Sequence, residues 1–199
     1  MKTREWQSLL SAQSRLGKVL FTLTELANAS GVPRQRVNVE MARLVNYGVA
    51  VRYAKGLYGL SGSVVPLEKL LPGMDPHAYV TGAYALMHHG LATQVPTVII
   101  TFTTRRHFRR DVQTPVGRIE FVCVKPPVYR REVQSVAGPE LALCDFVYIT
   151  LRRGMNPASL LTFRRLDKLK RTVLARIVKR YPATVRRQIA ALSRVAPPE

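Results

Sequence analysis

Residues 21–51 read FTLTELANASGVPRQRVNVEMARLVNYGVAV, and the spacing of caps and breakers within them decides the fold of the N-terminal region. Thr22 and Glu25 stand three apart, as in a capping box, where hydroxyl and carboxylate each satisfy a backbone N–H at a helix start. A short helix from Leu23 to Ala29 is expected to follow. Ser30-Gly31-Val32 then supplies the tight turn between two steeply crossing helices, because Gly31 takes a positive φ at little cost. Pro33 suits the first position of the next helix, whose missing N–H would be unpaired anyway. In that second helix Val37, Met41, Leu44 and Val45 recur at i, i+4, i+7 and i+8, one apolar stripe for a core. Gly48 ends it.

At about 100° per residue the face opposite the stripe carries Gln35, Val39, Arg43 and Asn46, flanked by Arg36 and Asn38, with Arg34 in the first turn. Arginine can fork onto guanine, Gln or Asn onto adenine, and a valine methyl can meet thymine. The alternative is a merely solvated polar face. The capping box, glycine turn and proline start together favour a helix-turn-helix whose second helix reads DNA. After Gly48 the stretch VAVRYAKGLYGL alternates apolar and polar residues around Ala54-Lys55-Gly56, the pattern of a small hairpin. As the wing of a winged helix, that hairpin carries Arg52 and Lys55 near its tip, placed for the sugar-phosphate backbone. They serve equally as ordinary solubilising charges.

The 199 residues and a 47% hydrophobic content allow one or two domains with real cores. Thirty-one Lys and Arg against twelve Asp and Glu give a net charge of +19. A surplus of that size points to a polyanionic partner or an anionic membrane surface. No apolar run approaches the ~18 residues of a membrane span, and MKTREWQSLL lacks a signal-peptide core, so a cytoplasmic location is expected. Cys123 and Cys144 sit in apolar contexts, FVCVK and LALCDF, and are read as buried reduced thiols.

SGSVVP and LPGMDP, dense in Pro, Gly and Ser around the amphipathic piece VPLEKLL, mark a boundary. The expected organisation is α+β: a winged helix-turn-helix over 1–62, a linker over 63–76, and a second mixed α/β domain over 77–199 with a basic helical tail. In that second domain AYVTGAYALMHHG reads as a helix stopped by Gly90. Val98–Thr103 and Arg118–Val124 read as strands, and Pro126-Pro127 breaks the second of them before a short strand over Val128–Val136. Gly138-Pro139-Glu140 opens a helix running to about Arg152. Two further stripes follow, Leu166, Leu169, Val173 and Ile177, then Val185, Ile189 and Leu192, hinged at Tyr181-Pro182. From Arg153 onward twelve Lys or Arg face two acids. Either this tail only solvates its surface or it adds phosphate contacts. The linker TTRRHFRRDVQTP between the two main strands packs Arg105, Arg106, Arg109 and Arg110 with His107 and Phe108 interleaved. This cluster suits DNA phosphate and would also suit RNA.

The stretches AYVTGAYALMHHGLATQVPTVIITFTTRR, TPVGRIEFVCVKP and GPELALCDFVY, set after the helix-turn-helix segment and before a basic tail, resemble the AbiEi-type antitoxins of abortive-infection, type IV toxin-antitoxin systems. The resemblance spans nearly the whole chain; where the family commonly carries an acidic residue and a lysine, this chain has Gly138 and Leu141. It implies an autorepressor that binds inverted repeats in double-stranded DNA of its own promoter. It also implies an antitoxin that counters a nucleotidyltransferase toxin without a stable complex. Arg34, Gln35, Arg36, Asn38 and Arg43 would correspond to the family's reading helix. A chain monomeric in solution, with room for cooperativity on DNA, is expected.

An enzyme is the competing class. No Walker loop, dinucleotide fingerprint, H-E-x-x-H or nucleophile elbow occurs. Adjacent His88 and His89 point about 100° apart on a helix and cannot clasp one metal as an i, i+4 pair would. Asp111, Glu120 and Lys125 are the nearest thing to a nuclease set, but the odd spacing from Glu120 to Lys125 puts those two on opposite faces of a strand. No catalytic residue, cofactor or metal is expected. The alternative function is an RNA-binding or nucleic-acid-processing protein whose winged helix only docks it.

Overall fold

The computed structural model describes residues 2–107, 110–130 and 134–195, with side chains through 192. The chain is a mixed α+β protein in two compact units, Met1–Pro76 with Thr114–Val116, and His77–Gln113 with Gly117–Glu199.

The first unit runs α1 (Thr3–Arg15), β1 (Phe21–Thr22), α2 (Leu23–Ser30), α3 (Arg34–Asn46), β2 (Ala50–Ala54), β3 (Leu57–Leu60) and α4 (Leu67–Met74). Its three strands form an antiparallel sheet in the order β1-β3-β2. The expected capping box starts α2. Thr22 N–H donates to the Glu25 carboxylate at 2.8 Å, and Glu25 N–H donates to the Thr22 hydroxyl at 3.2 Å. Gly31 closes the helix in the left-handed region at φ 67, leaving Pro33 as the cap of α3 rather than its first residue. Leu26 of α2 and Val37, Met41 and Leu44 of α3 meet in one core with Trp6, Leu10, Phe21 and Tyr58. Full burial of such side chains stabilises the fold by about 1.5–3 kcal/mol each. Lys55-Gly56 turns the β2–β3 hairpin, with Gly56 at φ 74 and a register shift between Arg52 and Ala54.

The stretch 63–76, expected as a linker, instead contains α4. Pro66 caps it, and Leu67, Leu70 and Leu71 are buried. The amphipathic pattern of VPLEKLL outweighs the flanking breakers because it gives the helix an apolar face to bury. A Cβ on Gly73 would come within 3.0 Å of Leu57.

The second unit contains β4 (Tyr79–Val80), α5 (Gly82–His88), β5 (Val98–Thr103), β6 (Asp111–Thr114), β7 (Gly117–Cys123), α6 (Pro139–Arg152), α7 (Pro157–Leu160), α8 (Arg171–Val178) and α9 (Ala183–Val195). The four strands order as β4-β5-β7-β6, with β5 and β7 parallel from Val98↔Arg118 to Thr103↔Cys123. The helix expected from residue 78 therefore begins only at Gly82. Tyr79 and Val80 pair with Phe102 and Thr101, which no local period announces. No strand covers Val128–Val136 among the described residues; Val136 makes a single bridge to Val80, and 131–133 lie outside them. In the tail, Leu166–Lys168 is a 3₁₀ turn, not the start of a long helix, because Arg165 sits at φ 52 and Lys170 is extended.

Helix α6 is the axis of this unit, buried over most of its length. Its Asp145 is fully buried and accepts from Thr81 Oγ1 at 2.7 Å, from Tyr79 at 3.1 Å and from Tyr181. A buried carboxylate held by three hydroxyls ties α6 to β4, to the start of α5 and to the α8–α9 turn. Glu140, in the first turn of the same helix, accepts from the Lys170 backbone N–H at 2.8 Å. Among the described residues no helix is long and apolar enough to cross a membrane.

Candidate nucleic-acid interface

Two surfaces hold the residues that sequence reasoning singled out. The first is α3. Its apolar stripe turns inward, with Val37 and Met41 at 0% and Leu44 at 1% exposure. Arg34, Gln35, Arg36, Asn38, Arg43 and Asn46 are all exposed in consequence, and Val39 among them is 50% exposed. An apolar side chain kept in solvent amid polar ones is available for contact with a thymine methyl. Arg43 is engaged: its Nη1 donates to Glu40 at 3.0 Å, an i, i+3 pair on the helix surface. In the hairpin Arg52 and Lys55 are exposed, and Arg52 Nε reaches its own Ala54 carbonyl at 3.4 Å.

The second surface lies wholly in the second unit. Arg105, Arg106 and Arg110 are exposed in the segment after β5; Arg109 and Phe108 lie outside the described residues. Parallel strands deliver their C-terminal ends to the same edge of a sheet. The segment after β5 and the segment after β7 therefore meet, and Arg106, His107 and Arg110 share a cleft of about 980 Å³ with Lys125, Pro126 and Val128. The end of α6 completes it with Tyr148, Arg152 and Arg153. His107 stacks on Phe121 of β7, ring centroids 4.2 Å apart at 25°. Among the described residues Glu120 is the one carboxylate on the lining, and it accepts from Arg153. Arg105, unlike Arg106 and Arg110, does not line the cleft. No sequence motif marks Lys125, Tyr148, Arg152 or Arg153 as binding residues. Only the pairing of β5 with β7 brings them to the arginine cluster, and nothing in local spacing encodes it.

Cys144 is fully buried, as expected, and burial together with the nearby Asp145 and Glu140 charges pushes its thiol up. Cys123 departs from expectation: it is half-exposed on the cleft wall, its thiol 3.5 Å from the Thr104 carbonyl. Asp111 and the two adjacent histidines make contacts within the second unit. Asp111 accepts from Arg118 at 3.1 Å, and His89 Nε2 lies 2.8 Å from the Ala137 carbonyl. His88 and His89 meet edge to face, 5.2 Å between centroids. Among the described residues no group of three or more His, Cys, Asp or Glu is placed to hold a metal ion. A scan against protein-family models finds no family that matches this chain, and a search of curated proteins finds no matching sequence.

Proposed function

We propose that the first unit is a winged helix-turn-helix that binds inverted repeats in its own promoter as a repressor, and that the chain acts as the antitoxin of a type IV toxin-antitoxin pair against a nucleotidyltransferase. The single observation that carries the DNA reading is the outward face of α3. Arg34, Gln35, Arg36 and Asn38 stand exposed in its first turns, directly after the Thr22-capped α2 and the left-handed Gly31 turn. Helix-turn-helix proteins read bases from this N-terminal part of the second helix, and a two-stranded wing beside it contacts phosphate. Arg52 and Lys55 occupy that wing. The antitoxin part rests on the resemblance carried by residues 78–106, 114–126 and 138–148.

The test of the DNA reading is a gel shift on the chain's own upstream promoter. The affinity falls steeply between low and moderate salt because several phosphates are neutralised. Arg36→Ala weakens binding by about 1–3 kcal/mol and relaxes preference at one base position. An unchanged shift removes α3 from the interface. The antitoxin part is tested by co-expression with a neighbouring nucleotidyltransferase, scored for growth rescue. A soluble, folded product that fails to rescue overturns it.

A further inference from the structure

We infer that the cleft of the second unit binds a short segment of single-stranded nucleic acid, independently of any duplex bound by α3. Duplex DNA is read by convex elements that enter its grooves, a helix or a two-stranded ribbon. Single strands are held the opposite way, in concave basic grooves with aromatic rings for the bases. The cleft has that second construction. Arg106, Arg110, Lys125 and Arg152 give it four cations, none of them in an ion pair among the described residues. Among the described residues the only lining carboxylate, Glu120, is taken up by a fifth cation, Arg153, so that wall stays strongly positive.

The aromatic component is in place as well. His107 and Phe121 form a stacked pair in the lining, and Tyr148 stands in the same lining, braced edge to face by Phe102 and Tyr181 at 6.2 and 5.9 Å. A side chain held on two sides keeps its orientation when a base arrives, so little rotamer entropy is lost on stacking. The position matches the chemistry. In sheets with parallel strands, ligands bind beyond the carboxyl ends of those strands, and the cleft lies at the ends of β5 and β7. A volume of about 980 Å³ is at the upper end of ligand pockets, enough for a few nucleotides of strand.

The test uses the full chain and a fluorescein-labelled ten-nucleotide oligouridylate, followed by anisotropy at several salt concentrations. Lys125 and Arg152 are exposed, so Lys125→Ala/Arg152→Ala keeps the fold. That variant is expected to bind the strand about tenfold more weakly, with a salt dependence shallower by about 1.4 in log–log slope for two lost phosphate contacts. Its binding to promoter duplex stays as in the parent. Cys123 gives a second readout: N-ethylmaleimide reaches this wall thiol while Cys144 is buried, and bound strand slows the alkylation several-fold. The inference is overturned by any of three results: no saturable binding at low salt, equal strand binding by the double variant, or Cys123 alkylation indifferent to saturating strand. It is equally overturned if free UTP protects Cys123 as well as the strand does at equal concentration.

Discussion

The phenolic hydroxyl of Tyr181 donates to the buried carboxylate of Asp145, joining the α8–α9 turn to the central helix of the second unit. The same carboxylate holds Tyr79 and Thr81, so one residue of α6 fixes two separate stretches of chain. Tyr181 is the one buried hydroxyl among the tail's described residues, and it helps to anchor the tail.

Tyr181→Phe removes one donor to a charged acceptor, a loss of about 1.5–3 kcal/mol. Burial first, then the charge of Asp145 and the hydrogen bond to it, hold the Tyr181 phenol above its ordinary value of 10.0. The folded chain therefore keeps a proton that the unfolded chain releases above pH 10. Stability from this phenol is full below that pH and is lost as pH rises through the alkaline range. Thermal melts of parent and Phe variant from pH 8 to 11 should show a constant gap that narrows above pH 10. A gap that widens there contradicts the assignment.

The capping box of α2 works in the opposite pH direction. Burial pushes the Glu25 carboxyl up, but the Lys18 ammonium and the Thr22 N–H and hydroxyl together hold it below its ordinary 4.5. Its contribution is present above that value and disappears as pH falls through the lowered one. Thr22→Ala should cost about 1 kcal/mol at pH 7. Glu25→Gln should cost less, and its deficit should close in acid. Trp6 is the only tryptophan and sits in this core, so its fluorescence follows unfolding of the first unit directly.

These two devices mark what local sequence can and cannot encode. The capping box, the Gly31 turn and the α3 stripe act across three to eight residues, and each is legible without the fold. β4 is two residues long and exists only because Phe102 and Thr101 lie beside it. Likewise Arg106 and Arg110 are visible as a run of charge, whereas Lys125 and Arg152 join them only through the parallel β5–β7 ladder and the end of α6. Within 63–76 the breakers mask a helix. Pro66 and Gly73 are breakers in composition, but one is a helix cap and the other a point of close packing on Leu57.

Trp6 is fully buried, yet its indole N–H has no hydrogen-bond partner among the described residues. A buried donor left unpaired carries its desolvation cost in the folded state. Trp6→Phe therefore loses packing area but removes that cost, and should destabilise far less than Trp6→Ala, which is expected to lose about 3–5 kcal/mol. Urea unfolding followed by circular dichroism measures both. Equal losses would mean that the indole nitrogen is satisfied after all.

Glu40 stands on the α3 surface and occupies the guanidinium of Arg43. On the proposed DNA reading this carboxylate opposes phosphate and ties down a contact residue. As a surface pair it adds only about 0–1 kcal/mol to stability. Glu40→Gln should leave the melting temperature nearly unchanged while tightening promoter binding a few-fold at low salt, an advantage that shrinks as salt rises. Weaker binding by this variant would mean that the pair positions Arg43 instead of restraining it.

On the proposed DNA reading, Lys55 and Arg36 separate orientation from readout within the same unit. Lys55 is exposed at the turn of the β2–β3 hairpin, whereas Arg36 is exposed in the first turns of α3. A contact to phosphate carries no sequence information, so Lys55→Ala should weaken operator and scrambled duplex equally. Its log–log salt slope should become shallower by about 0.9, the loss of one phosphate contact. Arg36→Ala should instead weaken the operator more than the scrambled site and narrow the gap between them. Arg52 is partly held by the Ala54 carbonyl, so its truncation should fall below that of Lys55. Gel shifts on both duplexes at three salt concentrations resolve all three variants. If Lys55→Ala changed the ratio of operator to scrambled affinity, the hairpin would be reading bases and the division of labour proposed for the two elements would be wrong.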